Sequence, residues 1–173
     1  MEYLKGESLA DRLENHGALD VSECVTIMTQ VLGGLAAAHE KGIIHRDLKP
    51  DNIFLADLPG EEDYVKVLDF GIAKLLGDNH AAANELTRAG AVIGTPTYMS
   101  PEQSRGAPID ARSDLYSLGV VLFRMLAGKP PFEAPSMMAL AWKHNSEPPP
   151  DVLELGLPED PIPAALGSLV AKL

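Results

Sequence analysis

The chain has 173 residues, 46% of them hydrophobic, and a formal net charge of −11. It is long enough for one compact domain with its own core, and it lacks the clustered positive charge that tracks a nucleic-acid backbone or an anionic lipid surface. A single cysteine, Cys24, excludes an internal disulfide framework and a multi-cysteine zinc site, and suits a reducing compartment.

In chain order, Leu9, Ala10 and Leu13 stand at helical spacing and predict a short helix over 7–15, ended by His16-Gly17. Asp20 or Ser22 caps a longer helix whose apolar stripe is Val25, Met28, Val31, Leu32, Leu35 and Ala38, stopped at Lys41-Gly42. Its Gly33-Gly34 pair either weakens the helix or admits another backbone. From 43 to 55 short apolar runs flank a polar loop. Residues 64–68 then alternate as a strand does, which puts Lys66 on the solvated face. Residues 75–93 hold Gly, Asn, Ala and Thr with little periodicity, the composition of a long functional surface loop.

Residues 110–127 read as the most buried helix, with Leu115, Leu118, Val121, Leu122 and Met125 on it and Gly128-Lys129-Pro130-Pro131 stopping it. Another helix is predicted over 134–145, a proline-dense irregular connection over 147–163, and the start of a last helix at Ala164. No run approaches the ~18 apolar residues of a membrane-spanning helix, and the acidic start is no signal peptide. The fold class is therefore mainly α with short β-hairpins.

The polar loop reads His45-Arg46-Asp47-Leu48-Lys49-Pro50-Asp51-Asn52, and Asp69-Phe70-Gly71 follows the strand. A carboxylate, an ammonium two residues on, an amide and a second carboxylate could accept a proton, face a phosphate and ligate Mg²⁺, a combination that suits phosphoryl transfer to a hydroxyl. Other readings fail on spacing. His39-Glu40 has Ile43 where His-Glu-x-x-His needs its second ligand, and Gly128-Lys129 lacks the rest of a phosphate-binding P-loop.

On the loop, the Asp-Phe-Gly and the run Gly94-Thr95-Pro96-Thr97-Tyr98-Met99-Ser100-Pro101-Glu102, the chain resembles the larger, C-terminal lobe of a eukaryotic-like Ser/Thr protein kinase of the kind common in bacteria. The resemblance implies a partial kinase domain over 1–173. Its parts are a hinge at 1–4, the catalytic loop at 45–52, the activation segment at 69–102 and the central buried helix at 112–128. The N-terminal β-rich lobe is absent: no Gly-x-Gly-x-x-Gly and no Val-Ala-x-Lys occur.

The resemblance further implies transfer of the ATP γ-phosphoryl group to Ser/Thr hydroxyls of protein substrates, with Asp47 as the base or hydroxyl-orienting group and Lys49 against the γ-phosphate. Asn52 and Asp69 would hold Mg²⁺. Glu2 and Leu4 would bond adenine through their backbone, with Phe54 and Leu68 beneath the ring. Thr95 would help choose Ser/Thr acceptors, and Thr87 is the phosphosite that Arg46 would pair with. His45 would buttress the Asp-Phe-Gly segment, Asp114 would hold the catalytic-loop backbone, and Glu102, its family arginine lying past the last residues here, would be left unpaired. The fragment alone is expected to be weakly active or inactive.

Two other functions are open on the sequence: a non-catalytic truncated lobe acting as a binding module, and a small-molecule phosphotransferase, which the segment 94–102 disfavours. The expected partners are Ser/Thr-bearing proteins, with no nucleic acid and no membrane contact from this segment. The expected location is cytoplasmic, whether or not the parent is anchored through a segment outside this chain.

Overall fold

A computed structural model describes residues 5–58, 61–70, 96–155 and 160–172, with 61–63 described by backbone alone. Strand β1 (Gly6–Ser8) leads directly into helix α1 (Leu9–His16), and α2 (Val21–His39) follows. Beyond the polar loop come β2 (Ile53–Leu58), β3 (Glu61–Val67), α3 (Pro101–Ser104), α4 (Ala111–Ala127), α5 (Met137–Ser146) and α6 (Ala164–Val170). The described residues are mostly helical, beside one antiparallel sheet ordered β1-β2-β3.

β1 was not expected, and it depends on one glycine. Gly6 has φ 140°, and a Cβ there would lie 2.0 Å from the Leu55 carbonyl oxygen, so a side chain would prevent the pairing Gly6↔Ala56. Ser8 then begins α1 with a capping box: its Oγ accepts from the Asp11 N–H at 3.1 Å, while the Asp11 carboxylate accepts from the Ser8 N–H at 3.2 Å.

Helix α2 differs from expectation in three ways. Its buried stripe is Cys24, Ile27, Met28, Val31 and Leu35, while Val25 and Leu32 are exposed. Neither Asp20 nor Ser22 caps it by side chain; the Val21 N–H donates to the Asp160 carboxylate at 2.6 Å, from 139 residues away. No backbone approaches Gly33 or Gly34, where an added Cβ would meet at most the Val67 side chain at 3.8 Å. By length and composition α2 is also apolar enough to cross a bilayer, which the expectation of no such run overlooked; it buries its stripe against β3 and α4.

Helix α4 is the centre of the core. Leu118, Val121, Leu122, Phe123, Met125 and Leu126 are all buried, and Asp110 caps the first turn by accepting from the Arg112 N–H at 2.8 Å. Gly128 ends the helix in the left-handed region (φ 71°), as a C-terminal glycine does without a Cβ clash. Unlike a purely apolar core helix, α4 also buries Ser113, Asp114 and Ser117. Buried polar groups persist only where they are hydrogen-bonded, and the partners of these three position the site.

Candidate active site

After α2, Lys41 and Ile43 both donate N–H bonds to the Ala38 carbonyl at 3.0 Å, and Gly42 reverses the chain at φ 71°. The polar loop thus enters alongside the start of α4. There the Asp114 carboxylate, 1% exposed, accepts from the His45 N–H at 2.8 Å, from the Arg46 N–H at 2.9 Å and bonds His39 Nε2 at 2.8 Å. A charged acceptor shared by two consecutive peptide N–H groups holds the loop more tightly than neutral bonds would. Arg46 needs that hold: its φ of 68° is uncommon for a residue with a Cβ and costs about 1–3 kcal/mol.

His45 is fully buried. Its Nε2 bonds the Leu68 carbonyl at 2.8 Å and its ring lies 4.9 Å from that of Phe70. It therefore packs against the segment just past β3, where Asp69 has φ 51°. Asn52 Nδ2 donates to the Asp47 carbonyl at 2.8 Å, and the Leu68 N–H donates to the Asn52 carbonyl at 2.8 Å. Two hydrogen bonds thus bring the Asp47, Asn52 and Asp69 segments to one end of the β2–β3 hairpin. With its nitrogen engaged, Asn52 has its amide oxygen left to ligate; Asp69 is exposed and the Asp47 side chain is 36% exposed. Lys49 Nζ lies 3.8 Å from the Asp47 carboxylate, a charge pair looser than a hydrogen bond.

Phe54 and Lys66 are cross-strand partners, so they share a sheet face, and Leu68 follows at the same parity. Lys66 is half-buried and not without a partner, which corrects the solvated position read from the alternation. Glu2, Leu4, Thr87 and Thr95 lie outside the described residues.

The segment past residue 95 is fastened to α4. Tyr98 is buried; its carbonyl accepts from the Ser117 hydroxyl at 2.7 Å and its phenol oxygen accepts from Arg124 Nη1 at 2.5 Å. Burial raises the Tyr98 pKa, against the pull of Arg124. Glu102 is not left unpaired: it is half-buried and accepts from the Ser113 hydroxyl. Burial pushes its pKa up, but the bonds from Ser113, its own backbone and Ser100 outweigh that and leave it below the ordinary value.

Two contacts escaped the sequence reading. His39, in the last turn of α2, bonds Asp114 and carries no local sequence signal for it. Gln103 Nε2 donates to the Arg46 carbonyl at 2.7 Å. Its signal was present: Ser100-Pro101-Glu102-Gln103 is a capping-box string, and Ser100 does cap α3.

Residues 1–153 match the protein kinase domain family. The chain is 50% identical over 150 residues to the serine/threonine-protein kinase pkn3 of Myxococcus xanthus, covering 87% of this chain and 27% of that protein. It is 47% identical over 161 residues to the probable serine/threonine-protein kinase PknB of Bifidobacterium longum, covering 92% of this chain and 22% of that protein. With PknB of Mycolicibacterium smegmatis the identity is 44% over 149 residues, covering 86% and 23%. The chain spans about a quarter of the length of these curated relatives. It belongs to the protein kinase domain family and is of the bacterial Ser/Thr kinase type that these relatives represent.

Proposed function

We propose that this chain carries the catalytic-loop lobe of a protein kinase that transfers the ATP γ-phosphoryl group to Ser/Thr hydroxyls of proteins. One observation carries the reading: the Asn52 amide and backbone tie the Asp47 segment to Leu68 at the end of β3, so the segments that bear two accessible carboxylates and an available amide oxygen lie together at one end of the hairpin. That donor set, all hard oxygen, suits Mg²⁺ carrying a triphosphate.

In this reading 45–52 is the catalytic loop, 69–102 the activation segment, 112–128 the central helix and 1–4 the hinge. Asn52 and Asp69 would hold Mg²⁺, which when bound offsets charge on the phosphate oxygens. Asp47 accepts the proton of the attacking hydroxyl as the bond from that oxygen to the γ-phosphorus forms and the bond to the β-phosphate oxygen breaks, releasing ADP. Lys49 supplies a positive charge beside the same carboxylate for the transferring group. Glu2 and Leu4 would receive adenine over Phe54 and Leu68, and Thr95 would favour Ser/Thr acceptors. Thr87 phosphate would pair with Arg46. The phosphates would be covered by a strand-rich lobe outside these residues, since no Gly-x-Gly-x-x-Gly or Val-Ala-x-Lys occurs in them, and the chain alone would turn over slowly. The reaction would take place in the cytoplasm, where ATP is supplied.

Substrate class is tested by offering Ser/Thr peptides and aminoglycoside-like acceptors in parallel to the full-length protein with radiolabelled ATP. Transfer to peptides is expected. Transfer to the small acceptors alone would overturn the protein-kinase reading.

A further inference from the structure

Arg46, the residue before Asp47, is held from both sides. Asp114 on α4 accepts its N–H at 2.9 Å, and Gln103 on α3 donates to its carbonyl at 2.7 Å. Gln103 does a second thing with the same amide: its Oε1 accepts from the Ser100 N–H at 2.9 Å, and Ser100 Oγ accepts in return from the Gln103 N–H at 3.4 Å. Ser100 is fully buried, so this end of the bridge is held by packing. Only a side chain that is donor and acceptor at once can span the two. Glutamate, the commoner residue at this place in a capping box, would keep the Ser100 bond but set a carboxylate oxygen against the Arg46 carbonyl oxygen.

We infer that Gln103 is a positioning residue for phosphotransfer: its amide joins the segment ending at α3 to the catalytic loop, and through the Arg46 carbonyl it sets the placement of Asp47. The inference rests on the proposed kinase reading. Neighbouring bonds carry the same junction outward, since Glu102 accepts from Ser113 on α4 and Ser104 Oγ accepts from Asn145 Nδ2 on α5 at 2.7 Å. A shift of α3 is thus transmitted to the residue beside the base. Near-attack geometry is sensitive to displacements of about 1 Å, which cost on the order of 10²-fold in rate.

The test is steady-state phosphorylation of a Ser/Thr peptide by the full-length protein carrying Gln103→Glu or Gln103→Met. Both should lose roughly 10-fold to 100-fold in kcat, with KM for ATP within about twofold, because the nucleotide contacts are elsewhere. Unchanged kcat in both variants, or a loss carried by KM for ATP with kcat unchanged, would overturn the inference; if the Met variant fails to fold, the Glu variant decides alone. Asp47→Asn run beside them separates the two readings: normal turnover there rejects phosphotransfer through Asp47, whereas its loss with unaffected Gln103 variants rejects this inference only.

Discussion

Replacing Asp114 with alanine should remove the anchor of the 45–52 loop without touching the Asp47, Lys49 or Asn52 side chains. The carboxylate is 1% exposed and receives three donors, from His45 N, Arg46 N and His39 Nε2. Hydrogen bonds to a charged group are worth about 1.5–3 kcal/mol each, but three bonds to one carboxylate are not additive. Breaking a buried charged network by removing one partner typically costs about 3–5 kcal/mol. Part is returned, because Arg46, freed from its φ of 68°, can relieve some of the ~1–3 kcal/mol of backbone strain. The net expectation is about 2–4 kcal/mol, a large share of the ~5–15 kcal/mol that stabilises a domain. Asp114→Asn keeps one acceptor oxygen and should cost about half as much. Urea denaturation followed by circular dichroism measures both. An Asp114→Ala variant within about 1 kcal/mol of wild type would refute the claim that this carboxylate holds the loop.

Stability should also depend on pH through His144. The Tyr116 hydroxyl and His144 Nδ1 lie 2.7 Å apart, and burial raises the Tyr116 pKa to about 12 and lowers that of His144. The hydroxyl therefore donates to a neutral ring. As pH falls the unfolded chain takes up this proton before the folded one, so the contribution is complete above about 6.5 and is lost below it, toward the folded pKa. The urea midpoint should drop between pH 7.5 and 5.5, and His144→Gln should flatten that slope; an unchanged slope would be contrary. Cys24 gives a separate check. Burial, with the Glu23 and Asp160 charges adding to it, pushes its thiol up to about 12, so a thiol-reactive disulfide reagent at pH 8 should label it only on unfolding. Rapid labelling of the native protein would contradict the burial.

The periodic elements were legible because burial repeats at helical spacing. Met28, Val31 and Leu35 of the expected stripe do face the core, as do Leu118, Val121 and Met125 on α4. The α2 stripe was misplaced at Val25 and Leu32 because Cys24 and Ile27, offset by one position, fit the same period and the packing against β3 and α4 chose between them. Contacts made at a distance had no local trace: Asp160 supplies the start of α2, and Ser113 supplies the partner of Glu102. Asp114 and His45, expected from the resemblance to hold the loop and the segment after β3, do so, whereas the Gln103 and His39 contacts were not read. Left-handed backbone at Arg46 and Asp69 is tolerated because Asp114, Gln103 and His45 bind the adjoining segments, and such strain is invisible in residue type.

The most direct measurement is transfer of radiolabelled γ-phosphate from ATP to a Ser/Thr peptide by the full-length protein, comparing wild type with Asp47→Asn and Asp69→Ala. The expected result is a fall of roughly 10²-fold to 10⁴-fold for Asp47→Asn, the usual worth of a positioned base, and loss of Mg²⁺-dependent turnover for Asp69→Ala. Near-normal turnover by either variant would contradict a shared Mg²⁺–ATP site at the end of the β2–β3 hairpin.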